Sequence, residues 1–422
     1  MTASTQRVQE ARASGGGGAP GRVSALAAAS IGLGLLLSAL ALSWSGRGEA
    51  LALSLVFGAA FGFVLQRSRF CFYCALREWI DEREPDGTLG LLAALAVGAV
   101  GYALIFGAWM PDPGTGRLPP DAFIGPLAWT VAFGGLAFGL GMAVSGSCLS
   151  AHLYRLGEGS PTAPFALVGA VAGFVLAFAT WNPLYLAFTA EAPVIWLPAW
   201  LGYAGWLAAT LLVLALLAWP LLLRRSVRRE EQGARLANVP RDALFPLRAA
   251  FAGRWPGWLG GLLVGVLGSF AYLRVAPLGV TAELSSRSRE LGHGLGLLPD
   301  TLLGLDTLRG CISLVGNAIL SNNGLFVAGL VAASLAAALA SGQARWTRPR
   351  RGHVIRGLAG GLLLGWGATV ALGCTVGTLL SGIQAGALSG WAFGAAMLAG
   401  LLVWRAVERP FRSRVPAKSA GA

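Results

Sequence analysis

Charge is scarce in this chain of 422 residues: Asp, Glu, Lys and Arg together make up 12% of it, about half the roughly 25% usual in globular domains. A water-soluble surface cannot be built from so little charge, and with 55% apolar residues the chain reads as an integral membrane protein. Histidine is scarcer still, at three residues, and Cys71 with Cys74 forms the single CxxC of the sequence. A metal centre of Cys and His ligands therefore has too few candidates, and no cofactor is expected. The phosphate-cradling GxxxxGK[ST] loop is missing, which excludes an ATPase in this chain. No Asp/Glu series suited to relaying protons lies within the apolar segments. Acids are outnumbered, giving a net charge of +13, yet the arginines sit in short loops and tails beside apolar runs. That placement is a topology signal, not a nucleic-acid footprint.

Glycine is what the chain has in excess: 61 positions, about twice the average share of roughly 7%. The glycines lie inside apolar segments, where small residues let helix backbones approach in a solvent that gives helices no hydrophobic reason to associate. In chain order, residues 1–22 form a Gly/Ser/Arg-rich tail expected to be disordered, and 23–223 hold the first membrane half. Within that half, 23–44 is too long for a signal-peptide core and stays as a first helix. The run 51–65 is too short to span comfortably at about 1.5 Å per residue, 75–86 reads as an amphipathic surface helix, and 89–109 spans. A Pro/Gly-rich loop covers 110–125, followed by 127–144, 164–180 and 200–223. A basic loop at 224–254 separates the halves. The second half, 255–404, contains 258–273, a polar connection over 274–299 and a partly buried or re-entrant helix over 301–320. The spans 325–340 and 386–404 come next, with a basic tail at 405–422.

One pattern recurs. Gly58-xxx-Gly62 is followed nine residues later by Cys71, Gly135-xxx-Gly139 by Cys148, and Gly361-xxx-Gly365 by Cys374. Gly261-xxx-Gly265 is a fourth copy, with Arg274 in place of the thiol. The Gly-xxx-Gly steps read as helix contacts. With the arginine-rich loops and both termini on the cytoplasmic side, the first two units run inward and the last two outward. The fold expected is an all-α polytopic membrane protein of about nine spanning helices plus short re-entrant or broken helices, its two halves forming an inverted repeat. Gly146-Ser147-Cys148 and Gly373-Cys374 place each thiol beside small residues that let the chain turn. The helix N-terminus after such a turn suits an anion, and a thiol adds a soft donor suited to sulfur.

The segments Arg67-Ser68-Arg69-Phe70-Cys71-Phe72, Ser147-Cys148-Leu149-Ser150-Ala151-His152 and Gly373-Cys374-Thr375-Val376-Gly377 resemble the three cysteine signatures of the YeeE/YedE family. These are bacterial inner-membrane proteins whose characterised member imports thiosulfate. The resemblance covers about 51–404 and departs at Ser147 and Ala151, where the family favours glycine. It implies a multi-pass inner-membrane protein, not an enzyme, that passes thiosulfate along a narrow path between the thiols of Cys71, Cys148 and Cys374. Gly146 and Gly373 shape that path. Arg69 is close enough to Cys71 to attract a dianion, His152 fits a family position, and Cys311 is an extra thiol near the path. Cys74 reads as structural. The partners implied are the lipid bilayer, a small sulfur-containing anion and a soluble cytoplasmic sulfur-carrier protein, with no nucleic acid. Three readings stay open: this transporter or one for another sulfur or selenium species, a membrane sulfurtransferase carrying a cysteine persulfide, and a subunit in which the cysteines are inert. Against the second stands the expectation that no base or cation cluster accompanies the cysteines.

Overall fold

The computed structural model describes residues 22–44, 48–233, 253–312 and 320–412. The expected N-terminal tail, most of the basic loop between the halves and the end of the C-terminal tail lie outside those residues. The helices are α1 (Arg22–Ser43), α2 (Glu49–Ser68), α3 (Phe72–Glu82), α4 (Asp86–Trp109), α5 (Trp129–Ser145), α6 (Leu149–Gly157), α7 (Ala163–Ala179) and α8 (Trp181–Phe188). Beyond them come α9 (Leu197–Gly233), α10 (Gly257–Arg274), α11 (Thr281–Gly294), α12 (Asn322–Ala340), α13 (Arg351–Val370), a π-helical segment Thr375–Ser381, α14 (Gly382–Gln384) and α15 (Leu388–Arg412). Eight helices are long and apolar enough to cross a membrane, or up to ten with two bent pairs, α7 with α8 and α13 with the segment after Cys374. The chain is an all-α polytopic membrane protein.

The four glycine steps decide how the helices meet. A Cβ on Gly58 or Gly62 of α2 would strike the backbone of Phe326 or Leu330 on α12, and one on Gly261 or Gly265 of α10 would strike Gly90 or Ala94 on α4. Gly135 and Gly139 of α5 lie against Phe393 and Met397 on α15, while Gly361 and Gly365 of α13 lie against Ala166 and Ala170 on α7. Each step thus packs on the helix that comes after its counterpart unit in the other half of the chain, and the exchange is reciprocal. Backbones this close gain dispersion contacts that no larger residue would permit.

Polar contacts sort the helix ends onto two faces. On one, Trp255 donates its backbone N–H to Arg67 O at 3.0 Å and Arg345 donates to Glu158 O at 3.0 Å. Arg225 pairs with Asp86 at 2.9 Å there, and Arg405 with Asp81. On the other, Arg274 bonds Glu49 at 2.7 Å, Tyr272 donates to Pro120 O at 2.6 Å and Asn182 to Thr301 O at 2.9 Å. Hence α2 and α5 run from the second face to the first, and α10 and α13 run back.

Three expectations need correction. Residues 51–65 are part of a 20-residue helix, α2, about 30 Å long and able to span. Its polar end enters the helix because Gln66 and Arg67 find buried partners: Arg67 Nε donates to Gln66 Oε1 at 2.7 Å and Nη2 to Ser341 Oγ at 2.8 Å. The connection over 274–299 contains a 14-residue helix, α11, whose buried residues are Thr281, Ala282, Ser285, Ser286, Ser288 and Gly292, so no apolar periodicity marks it. Residues 301–312 are turns and not a helix, and 313–319 lie outside the described residues. The Pro/Gly-rich loop also behaves unlike a surface loop, since Ala122, Phe123 and Ile124 are buried.

Candidate functional site

Three long helices end the same way. Two residues before each of Cys71, Cys148 and Cys374 the chain is left-handed, at Arg69 (φ 53°), Gly146 (φ 83°) and Leu372 (φ 61°). Glycine takes this conformation freely, and a Cβ at Gly146 would touch nothing within 4 Å, so its backbone freedom is what the position requires. Arg69 and Leu372 take it at a cost of roughly 1–2 kcal/mol, held there by their surroundings. The reversal leaves each cysteine in extended backbone as the N-cap of the next element, α3, α6 or the π-helical segment. A thiol at an N-cap faces the unpaired N–H groups and the positive end of the helix dipole. The π geometry after Cys374 is itself a rare form that concentrates at functional sites.

The first two of these turns meet. Cys71 Sγ lies 3.7 Å from Cys148 Sγ, and Cys148 Sγ lies 3.3 Å from Ser150 Oγ. Both thiols are buried, at 1% and 0% exposure. Beside them Arg155 reaches back along α6: one guanidinium nitrogen donates to Cys74 Sγ at 3.1 Å, the other to Ser147 Oγ and, at 3.5 Å, to Gly146 O. A single guanidinium therefore stands at the Cys71–Cys148 turn, one cation and not a base or cation cluster at each cysteine. The sequence held a weak signal for it. Arg155 lies seven residues after Cys148, two turns along the same face, and helical side chains lean toward the N-terminus.

Cys374 is fully buried in the same apolar cluster as Cys71 and Cys148. Its turn is built differently, because its neighbour is Cys311, fully buried in a small cluster with Phe123 and Ala282. Thr281, the first residue of α11, donates its hydroxyl to Cys311 Sγ at 2.9 Å. Nothing in either sequence segment signals this contact. Arg274, where the fourth thiol was sought, still belongs to α10 and bonds Glu49 at the surface. The turn of this unit runs from Val275 to Val280, longer than the other three, so counting nine residues from Gly265 stops short of it.

Two expected residues spend their side chains on other partners. Arg69 points into a polar network, 3.4 Å from Gln343 Oε1 and 3.7 Å from Glu158 Oε1. His152 is buried with Nε2 bonded to Ser145 Oγ at 3.0 Å, and its Nδ1 has no partner. Gly373 (φ 159°) closes the Cys374 turn, and a Cβ there would press on the Thr378 hydroxyl. All five cysteines are free thiols. Among the described residues no three His, Cys, Asp or Glu side chains gather as a metal site.

Known proteins resemble this chain in sequence. A family model described as sulphur transport matches residues 67–403. The thiosulfate transporter TsuA of Spirochaeta thermophila is 27% identical over 357 residues, covering 80% of this chain and 93% of its own length. TsuA of Escherichia coli is 28% identical over 368 residues, covering 85% and 95% respectively. A probable transporter of Escherichia coli, YedE, is 30% identical over 162 residues, or 38% of either chain.

Proposed function

The chain belongs to the sulphur transport family, whose relatives are transporters and not enzymes, and from that premise we propose that it imports thiosulfate, or a closely related small sulfur-containing anion, past the thiols of Cys71, Cys148 and Cys374. The observation that carries this reading is the approach of Cys71 and Cys148 to 3.7 Å at two buried helix N-termini. Thiosulfate has a soft terminal sulfur and three hard oxygens. Thiol S–H groups can donate to the sulfur while N–H groups at the N-caps take the oxygens. Burial excludes water there, so each charge-assisted contact is worth more than in solution, on the order of 1.5–3 kcal/mol.

Direction follows from charge. The face bearing Arg67, Arg69, Arg225, Arg345 and Arg405 is the arginine-rich one, and the positive-inside rule makes it cytoplasmic in a bacterial inner membrane, with both termini on that side. The two halves then form an inverted repeat, in which the anion passes the Cys374 turn before the Cys71–Cys148 pair. Arg155 draws the dianion toward the inner pair, where a soluble sulfur-carrier protein receives its sulfur.

The test is uptake of labelled thiosulfate by a host lacking its own route, with growth on thiosulfate as sole sulfur source as a second readout. Cys148→Ala and Cys374→Ala are each expected to lose at least about tenfold of the uptake, a barrier change of about 1.4 kcal/mol, at unchanged abundance in the membrane. Normal uptake by both variants would overturn the thiol path.

A further inference from the structure

Three of the four units supply a thiol at the start of their short helix, and the remaining one supplies a hydroxyl. Thr281 opens α11 where Cys71, Cys148 and Cys374 precede α3, α6 and the π-helical segment. The thiol missing from that unit arrives from elsewhere, since the Thr281 hydroxyl donates to Cys311 Sγ across 30 residues of sequence.

The surroundings of Cys311 are shaped around its side chain. A Cβ on Gly279 would come within 2.5 Å of Cys311 Sγ, and one on Gly377 within 2.8 Å of Cys311 Cβ. A Cβ on Gly373 would lie 3.4 Å from that same atom. One of these glycines precedes α11 and the other two flank Cys374, so both turns of the second half leave room at one point and Cys311 fills it. Gly310 fixes the approach, because a Cβ there would strike the Leu372 backbone, the left-handed residue of the Cys374 turn. Phe123 closes the remaining side. The residue after Cys374, Thr375, carries a fully buried hydroxyl with no hydrogen-bond partner.

We propose that Cys311 is the fourth thiol of the path, forming with Cys374 and Thr281 a second sulfur station that binds the terminal sulfur of a compact sulfur-bearing oxyanion on the side of the core opposite the Cys71–Cys148 pair. This rests on the thiol-lined path proposed above. The chemistry is specific to the hydrogen-bond order. Because Sγ of Cys311 accepts from Thr281, its own S–H is left to donate, and the acceptor matched to a weak polarisable donor is a soft anionic sulfur. The unpaired Thr375 hydroxyl supplies a harder donor for an oxygen of the same anion. A residue that only filled space would need neither the hydroxyl behind it nor three glycines from two turns.

The experiment combines uptake with chemical protection in the full-length protein. Uptake of labelled thiosulfate is measured for Cys311→Ala, Cys311→Ser and Thr281→Val at matched membrane abundance, alongside the melting temperature in detergent. In parallel, native protein is treated with methyl methanethiosulfonate, a reagent about as compact as thiosulfate, and the rate of modification at Cys311 is followed by peptide mass with and without excess thiosulfate. Expected are a roughly tenfold loss of uptake in Cys311→Ala, a smaller loss in Cys311→Ser and Thr281→Val, unchanged melting, and slower modification of Cys311 when thiosulfate is present. Native uptake by Cys311→Ala, or a modification rate indifferent to thiosulfate, overturns the assignment, as does a loss of uptake that merely tracks a lowered melting temperature. If Cys148→Ala and Cys374→Ala are impaired while Cys311→Ala is not, the second station fails and the thiol path stands.

Discussion

The Cys71–Cys148 turn and the Cys374 turn do the same local thing with different materials. At the first, two units of one half each contribute a cysteine, the sulfurs meet at 3.7 Å, and a guanidinium stands alongside at 3.1 Å from Cys74. At the second, one unit contributes a cysteine and the other a threonine, and a cysteine from outside both units fills the gap and accepts from the Thr281 hydroxyl. The difference teaches that the left-handed break goes with the thiol: it precedes Cys71, Cys148 and Cys374, while the Val275–Val280 turn that leads to Thr281 has no left-handed residue. If the proposed path holds, a charged station and an uncharged one in one buried core would suit a dianion that must be drawn through and then released.

The largest expected effect tests whether the two stations act in series. Cys148→Ala and Cys374→Ala should each lower thiosulfate uptake by about tenfold to a hundredfold, the equivalent of one charge-assisted contact. Two raised barriers on one route are crossed one after the other, so the double variant should be only about twofold slower than the slower single. A double variant whose loss equals the product of the single losses would mean that both thiols act at one shared transition state, and the separation into two stations would fall.

Packing provides the next contrast. On α2, a Cβ at Gly62 would overlap the Leu330 backbone, whereas on α1 one at Gly34 would meet nothing within 4 Å. Gly62→Ala is therefore expected to destabilise by about 1–3 kcal/mol through overpacking. Gly34→Ala should be neutral or stabilising by up to about 1 kcal/mol from helix propensity. Melting in detergent reads both, and equal melting temperatures would show that the reciprocal glycine steps are not what holds the two halves together.

The charge at the first turn gives a smaller effect on transport. Arg155→Gln keeps much of the side-chain reach to Ser147 and removes the positive charge beside Cys74. Uptake should fall by roughly tenfold, about 1.4 kcal/mol, through weaker binding and with little change in melting. The variant should also lose part of the inhibition by added salt that a charged site shows. An unchanged apparent affinity for thiosulfate would make Arg155 a purely structural clamp on the Gly146 turn.

How much of this could be read in advance depends on whether the cause is local. The Gly-xxx-Gly steps were legible because close helix contact leaves its mark at a fixed spacing in one segment. Gly146 and the three repeat cysteines were legible because a turn and its thiol are neighbours in sequence. Cys311 was visible as an extra thiol but not as the partner of Thr281, since nothing in either segment encodes a contact 30 residues apart. Phe123 was hidden for a related reason: the loop carrying it has the composition of a surface turn, yet its ring lies against Gly279 and Gly377, far away in sequence. The end of α2 was misjudged because Gln66 and Arg67 are polar, and only their partners, buried Ser341 and half-buried Gln343, make helix the better state.

The smallest effect bears on the backbone device itself. Gly146 takes its left-handed conformation without strain, while Leu372 takes it at φ 61° with a branched side chain. Leu372→Gly removes a cost of roughly 1–2 kcal/mol, but it also frees the unfolded chain by up to about 1 kcal/mol and gives up a leucine side chain that is only 3% exposed. The burial term is about 1.5–3 kcal/mol for such a side chain, so the strain relief is offset and the net change in stability should be a loss of no more than about 3 kcal/mol. The same change at a relaxed buried leucine, such as Leu364 at 0% exposure on α13, has no strain to relieve and a helical position to weaken, so it should cost clearly more. Measured side by side by melting in detergent, Leu372→Gly and Leu364→Gly thus isolate the strain. Equal losses would mean that the left-handed break before Cys374 stores nothing, and that the turn is held in place by its neighbours alone.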